Sequence, residues 1–334
     1  FLAILRGLKL IRQQVYIKYI IEPLLRLILT VIFLIIGLNL IGAALAYVLA
    51  LIFTLIISFL VVNRRFKVFS KIKSSMDSAV FSFSWPLLFT GLLFSIFSWT
   101  DTLMLGYFKS EELVGIYNAA FPTAYLITTI LVSFTALFIP VMVNLYANKK
   151  YDEIIKVYKK VTKWIFSLSL PIFILIIFFA DDILNILFGK NYIIGSNALI
   201  ILSIGFFTAA LVGPAGEMFN IIAKTKIKLL IRIIATLLNV ILNFILIPDF
   251  GLEGAAIATS ISIIILSILN LIVVYRFIKV KPYDLSYLKP LSAVIISITA
   301  VLIAVKNFDL TNLLILIATF IIFGIIYLVL ILLF

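Results

Sequence analysis

Residues 229–276 read LLIRIIATLLNVILNFILIPDFGLEGAAIATSISIIILSILNLIVVYR. Two apolar runs, 229–248 and 254–275, each reach the roughly 20 residues that a helix needs to cross a hydrocarbon layer. Between them Pro248-Asp249-Phe250-Gly251 carries the two residues that most strongly punctuate a chain, and leaves room only for a tight turn. The apolar residues are continuous, whereas barrel strands would alternate apolar and polar positions. In lipid, each backbone N–H and C=O must be satisfied within the segment, which leaves helices. The stretch therefore predicts a transmembrane helical hairpin.

Working outward, the same test predicts further spans at 22–38, 42–62, 82–106, 116–144, 163–181, 196–219, 289–305 and 312–333, about ten in all. The composition agrees: 65% of residues are hydrophobic and 12% charged, against roughly 45–50% and 25% in soluble domains. The chain is read as an all-α integral membrane protein. It has neither Cys nor His, which removes thiol nucleophiles, thiolate metal sites, and the commonest general base and metal ligand. No G-x-x-x-x-G-K-[ST] motif is present, so no ATP motor is legible. No catalytic residue, metal site or cofactor is expected. Asp181-Asp182, a pair of adjacent acids, reads as a cap at a helix end.

The charges orient the spans. Of the 27 basic residues, all but Lys109, Lys190 and Lys306 fall in alternate connections, around Arg6–Arg26, Arg64–Lys73, Lys149–Lys163, Lys224–Arg232 and Arg276–Lys289. The positive-inside rule puts these in the cytoplasm, with both ends of the sequence, in a cell membrane. The net charge of +13 is then explained by anionic lipid head groups, without nucleic acid. Trp85 and Trp164 fall at cytoplasmic span ends, where indoles settle. In 151–163, Ile154, Ile155, Tyr158 and Val161 share a face ringed by lysines, which suggests either a short helix lying on the membrane surface or an ordinary basic connector.

The chain also repeats itself. Gly42-Ala43-Ala44-Leu45-Ala46 returns as Gly254-Ala255-Ala256-Ile257-Ala258, and at the same offset Val61-Val62-Asn63-Arg64 returns as Val273-Val274-Tyr275-Arg276. Upstream, with a shorter connector, Arg26-x-x-x-Thr30 matches Arg232-x-x-x-Thr236. The second span corresponds to the eighth, so the unit is six spans, and two copies of an even unit share one orientation. Such parallel repeats enclose a midplane cavity. The expected organisation is 1–68, the last two helices of a first lobe whose first four precede Phe1; 69–280, a complete six-helix lobe; and 281–334, two additional helices. That makes about fourteen helices in the parent protein.

Ionisable residues inside a span are functional candidates by default. Asp101, in the outer half of its span, is a candidate ion-coupling site, the plainer reading being an acid at the outer head groups. Glu217, in Gly213-Pro214-Ala215-Gly216-Glu217, is the second ion-coupling candidate, or else a simple ion pair with Lys224. Arg26 and Arg232 occupy matched positions in the repeats. Guanidinium groups grip phosphate oxygens in a bidentate fork, so the pair is the substrate-binding candidate for a diphosphate head group. The plainer reading has each snorkelling to the lipid interface.

An ordered set of motifs accompanies this architecture: Pro86 through Asp101-Thr102-Leu103-Met104-Leu105-Gly106-Tyr107-Phe108, Val114-Gly115-Ile116-Tyr117-Asn118-Ala119-Ala120, Ile186-Leu187-Phe188-Gly189-Lys190-Asn191-Tyr192, and Pro248-Asp249-Phe250-Gly251-Leu252-Glu253-Gly254-Ala255-Ala256. With them the sequence resembles the multidrug/oligosaccharidyl-lipid/polysaccharide exporters, and among these the Wzx-type polysaccharide flippases. The resemblance implies a MATE-like pair of six-helix bundles with two C-terminal helices. It also implies movement of a polyprenyl- or dolichyl-linked oligosaccharide to the outer leaflet by alternating access, driven by ion gradients or membrane potential, and glycan-assembly enzymes as partners. The alternatives are a cation-coupled small-molecule exporter of MATE type and a membrane glycosyltransferase or polymerase; the short outer loops count against the last.

Overall fold

The computed structural model describes residues 11–66, 78–279, 282–305 and 313–333. Among them the regular elements are all helical. Two compact units divide at Met76/Asp77.

In the first unit, α1 (Ile11–Val15) passes through a π-helical stretch (Tyr16–Ile21) into α2 (Glu22–Ile35), followed by α3 (Asn39–Phe66). Gly37 stops α2 at φ +90°. The Leu38 N–H reaches the Phe33 carbonyl and the Gly37 N–H that of Leu34, both at 3.0 Å, the paired bonds of a Schellman end. The chain reverses so tightly that a Cβ on Gly42 would lie 2.8 Å from those of Phe33 and Leu38.

The second unit opens with α4 (Ser78–Phe108), α5 (Glu111–Tyr125) and α6 (Ile127–Ala147), then α7 (Tyr151–Phe188), α8 (Ser196–Val212), the short α9 (Ala215–Ile221) and the long α10 (Thr225–Ile278). It closes with α11 (Leu288–Val305) and α12 (Leu313–Leu333). A straight α10 would place residues twenty apart about 30 Å from each other. Instead Asn239 Nδ2 lies 2.9 Å from Thr259 Oγ1, so α10 is a hairpin of two arms. It folds at Gly251, which has φ +54° and ψ −119°. Lys109, just past the end of α4, donates to the Pro248 carbonyl at 2.7 Å and holds the tip. A Cβ on Gly254 would run into the Leu246 carbonyl. This is the hairpin expected from the opening stretch.

Eight described helices are long and apolar enough to cross a membrane. One of them is the folded α10, and α2, with 14 residues, is too short to qualify. The span expected at 196–219 ends earlier. Gly213 adopts φ +69° and Pro214 follows it, so α8 stops at Val212 and α9 begins separately. Gly213 lies against Thr162, whose hydroxyl and methyl groups occupy the space of a Cβ.

The surface helix expected at 151–163 is not a separate element. It is the first part of α7, whose one internal departure from helical geometry is at Phe179. Ile154 and Tyr158 are fully buried in a cluster with Phe138, Met142, Val212 and Met218. Their apolar face covers protein instead of lipid. Asp181-Asp182 follows that kink directly, in the first turn of the second helical stretch of α7, the helix-end position expected for it. Tyr327 of α12 donates to the Ser167 carbonyl of α7 at 2.6 Å, which fixes the C-terminal helices to the second unit.

Candidate functional site

Two polar centres lie inside the second unit, and both depend on α4 and the first arm of α10. The first surrounds Asp101, which is 1% exposed. Tyr117 of α5 donates its hydroxyl to Oδ2 at 2.6 Å, and Thr259, on the second arm of α10, donates to the same oxygen at 2.5 Å. Oδ1 accepts from Asn243 Nδ2 at 2.7 Å and, more distantly, from Asn239 Nδ2 at 3.4 Å. The two asparagines are four residues apart and share a helix face.

The plainer reading of Asp101, an acid at the outer head groups, is excluded by this burial. No ion pair to Asp101 occurs among the described residues. A buried carboxylate surrounded only by neutral donors carries an uncompensated charge, an arrangement costing several kcal/mol without a counter-ion. Taking up a proton or a cation removes that cost. The residues suit a hard cation, which takes oxygen ligands. Besides the carboxylate and Thr259 Oγ1, the carbonyl oxygens Asn239 Oδ1 and Asn243 Oδ1 are buried without hydrogen-bond partners. Half a turn of either amide exchanges its donor for that oxygen.

The second centre is a cavity of about 640 Å³. Phe94 and Phe97 of α4, Phe121 and Tyr125 of α5, and Phe206 of α8 make its walls aromatic. Arg232, Glu217 and Asn270 stand at its polar edge, where a smaller cavity of about 300 Å³ adds Thr90 and Lys228. Arg232 is half-buried, its guanidinium 5.7 Å from the centroid of the Phe94 ring, and its Nε is buried without a hydrogen-bond partner. A guanidinium over an aromatic face with free N–H groups is a ready receptor for phosphate oxygens. Arg232 thus faces a cavity instead of snorkelling to lipid.

Glu217 pairs with Lys228, not with Lys224 as expected: Lys228 Nζ is 3.4 Å from the carboxylate. Asn220 Nδ2 donates to Glu217 Oε2 at 2.6 Å. The chain turns at Ala223, which has φ +56°, and this carries Lys224 away to the ring of Phe277, 5.5 Å off. Arg26 lines neither cavity. It belongs to the first unit, is exposed, and lies 5.7 Å from the Tyr47 ring centroid.

Sequence reasoning singled out Asp101 but missed Tyr117, Asn239, Asn243 and Thr259. The available signal was Asn239 with Asn243, two amides one turn apart inside an otherwise apolar span.

Residues 4–146 match the family described as polysaccharide biosynthesis protein, and residues 86–245 match the family described as MatE. The chain is 28% identical over 55% of its length to a probable low-salt glycan biosynthesis flippase, Agl15, of Haloferax volcanii, covering 39% of that protein. It is also 28% identical over 60% of its length to a probable multidrug resistance protein, NorM, of Oceanobacillus iheyensis, covering 49% of it. The chain thus spans less than half the length of these relatives. Among solved structures, the lipid II flippase MurJ in an inward closed conformation superposes with a TM-score of 0.69 at 17% identity, over 92% of this chain and 65% of that one.

Proposed function

We propose that the chain, matched over residues 4–146 by the polysaccharide biosynthesis protein family and over residues 86–245 by the MatE family, is part of a secondary transporter of the multidrug/oligosaccharidyl-lipid/polysaccharide exporter superfamily that flips a polyprenyl- or dolichyl-linked oligosaccharide from the cytoplasmic to the outer leaflet of the cell membrane. The observation that carries this reading is the cavity at Arg232. It offers aromatic wall to a greasy or sugar-bearing ligand and a cation to its phosphate. Arg232 grips the diphosphate, and Arg26, at the matched position of the other repeat, is the second candidate substrate-binding residue. Asp101 binds the coupling cation or proton, whose uptake removes the cost of the buried charge and biases the alternating-access equilibrium. Glu217 holds Lys228 beside the phosphate position and is the second group able to couple to an ion. The basic connections rest on anionic lipid at the cytoplasmic face, where both ends of this sequence lie and where glycan-assembly enzymes deliver substrate.

Deleting the gene tests the proposal. The expected result is a build-up of lipid-linked glycan in the cytoplasmic leaflet, reversed by the wild-type gene but not by an Arg232→Ala variant. Normal glycan export after deletion, in a cell with no redundant carrier, overturns it.

One observation favours a second reading, a cation-coupled exporter of small organic cations. The same aromatic walls meet a carboxylate, Glu217, and rings with an acid suit a cationic drug. In that case deletion sensitises cells to such compounds and Glu217→Gln reproduces the sensitivity, with lipid-linked glycan unaffected.

A further inference from the structure

Arg232, Thr236, Asn239 and Asn243 recur on the first arm of α10 at intervals of four, three and four, and so lie along one face over about 16 Å of helix. Each carries a buried polar atom with no hydrogen-bond partner: Arg232 Nε, Thr236 Oγ1, Asn239 Oδ1 and Asn243 Oδ1. Among the described residues, only Gln13, Thr162 and Tyr287 share this property, so the orphaned atoms are concentrated on this stripe.

Thr236 is the telling member. It is 3% exposed, yet its hydroxyl bonds nothing. Five other buried helical hydroxyls, those of Thr90, Thr123, Ser203, Ser262 and Ser297, return to the carbonyl one turn back at 2.7–2.8 Å. The ends of the stripe are the two centres already described. Arg232 opens on the cavity, and Asn239 and Asn243 touch Asp101. On α4 the facing positions are Phe94 against Arg232 and Asp101 against the asparagines. That register sets Ser98, itself a cavity residue, level with Thr236. Buried polar groups in native proteins find partners, and where protein supplies none, ordered water making two to four hydrogen bonds does so.

We propose that this stripe is a hydrated path along which the coupling cation or proton passes between the cavity and Asp101, with Thr236 as its relay. The proposal rests on the reading of Asp101 as the ion site. The cavity and the ion site are then one connected polar space, so that ligand at Arg232 and ion at Asp101 share access from the same side.

The 334 residues contain no cysteine, which suits thiol labelling in native membranes. Thr236→Cys, Ser267→Cys on the cavity wall and lipid-facing Leu237→Cys are each exposed to Ag⁺, a thiol-reactive monovalent cation, or to 2-aminoethyl methanethiosulfonate, in a cysteine-free background. Modification is read as protection from a maleimide added after denaturation. Thiolates form where water reaches, so Thr236→Cys is expected to react about as fast as Ser267→Cys and about tenfold or more faster than Leu237→Cys. If Thr236→Cys does not fold, Ser98→Cys reads the same path. Gradient-driven transport is expected to fall in Thr236→Val and to return in Thr236→Ser. An inert thiol at 236 beside a reactive one at 267, or a Thr236→Val protein that transports like the wild type, overturns the proposal. Labelling needs neither substrate nor transport, so it is separable from the parent reading, which fails if Asp101→Asn keeps its dependence on the ion gradient.

Discussion

Two hairpins in this protein are written on one plan and have diverged in use. In Glu22–Phe66 and in Thr225–Ile278 the first arm begins with Arg-x-x-x-Thr and the second with Gly-Ala-Ala. In both, the glycine sits where a Cβ has no room. The difference lies on the inner face. In the first hairpin, Thr30 donates to the Arg26 carbonyl at 2.7 Å, the self-contained bond of a helical hydroxyl. In the second, Thr236 keeps its hydroxyl free and buried. Continuing the register, Phe33 and Gly37 stand where the second hairpin has Asn239 and Asn243. The two-arm scaffold, the glycine that opens the second arm and the arginine are common to both copies; the polar stripe and the Asp101 cage belong to one. On the reading proposed for Asp101, asymmetry of this kind assigns the ion chemistry to the second hairpin.

The largest effect that can break this comparison is on the Asp101 cage. Asn243→Leu removes a donor at 2.7 Å from a buried carboxylate. A hydrogen bond to a charged group is worth about 1.5–3 kcal/mol, so ion-driven transport in proteoliposomes is expected to fall by about ten- to a hundredfold. Phe33→Leu, at the matched position of Asn239 in the first hairpin, is expected to leave coupling intact. Equal losses in the two variants would erase the asymmetry. Next in size are the tips. Gly254→Ala drives a methyl group into backbone and is expected to cost more than about 2 kcal/mol of stability. Gly42→Ala meets two Cβ atoms at 2.8 Å and should cost about 1–2 kcal/mol. Thermal unfolding of the purified protein ranks them, and the opposite order would show that the two tips are not equivalent turns.

The scaffold was legible in the sequence because span length, loop charge and turn residues are local signals. Pro248 to Gly251 announced the fold of α10 before any contact was known. The Asp101 cage was not legible, because Tyr117, Asn239, Asn243 and Thr259 come from three helical segments well separated from it along the chain, and only packing sets which of them meet. The partner of Glu217 was misjudged for a related reason: the turn at Ala223 decides whether Lys224 or Lys228 faces the carboxylate, and a positive φ at alanine leaves no mark in the sequence. The 151–163 segment failed differently. An amphipathic face with flanking lysines has one pattern whether lipid or protein covers it, and here the cover is Phe138, Met142 and Met218.

A smaller effect sharpens the shared part of the plan. Arg232→Lys keeps the charge but loses the planar fork that binds two phosphate oxygens at once. Binding of a diphosphate-bearing lipid is expected to weaken by about tenfold. Arg26→Lys, at an exposed position beside Tyr47, should weaken it less. If the order is reversed, the phosphate sits on the first hairpin and the cavity at Arg232 serves another group.

The smallest effect is the most discriminating, because its sign differs between stability and function. Thr30→Val deletes a hydroxyl whose only role is a bond to its own helix, and should change stability by less than about 0.5 kcal/mol with transport unaffected. Thr236→Val deletes a hydroxyl that is buried and bonds no protein group. Replacing such a group by a methyl of similar shape is neutral or favourable, so the melting temperature is expected to hold or rise, by an amount worth up to about 1 kcal/mol. A residue that lowers stability yet occupies the middle of the stripe is kept for what it does there, in line with the general exchange of stability for activity at working sites. A variant that is as stable as the wild type and slower in transport therefore identifies the hydroxyl as functional. One that is clearly less stable shows that Thr236 has a structural partner, and the two threonines then differ only in burial.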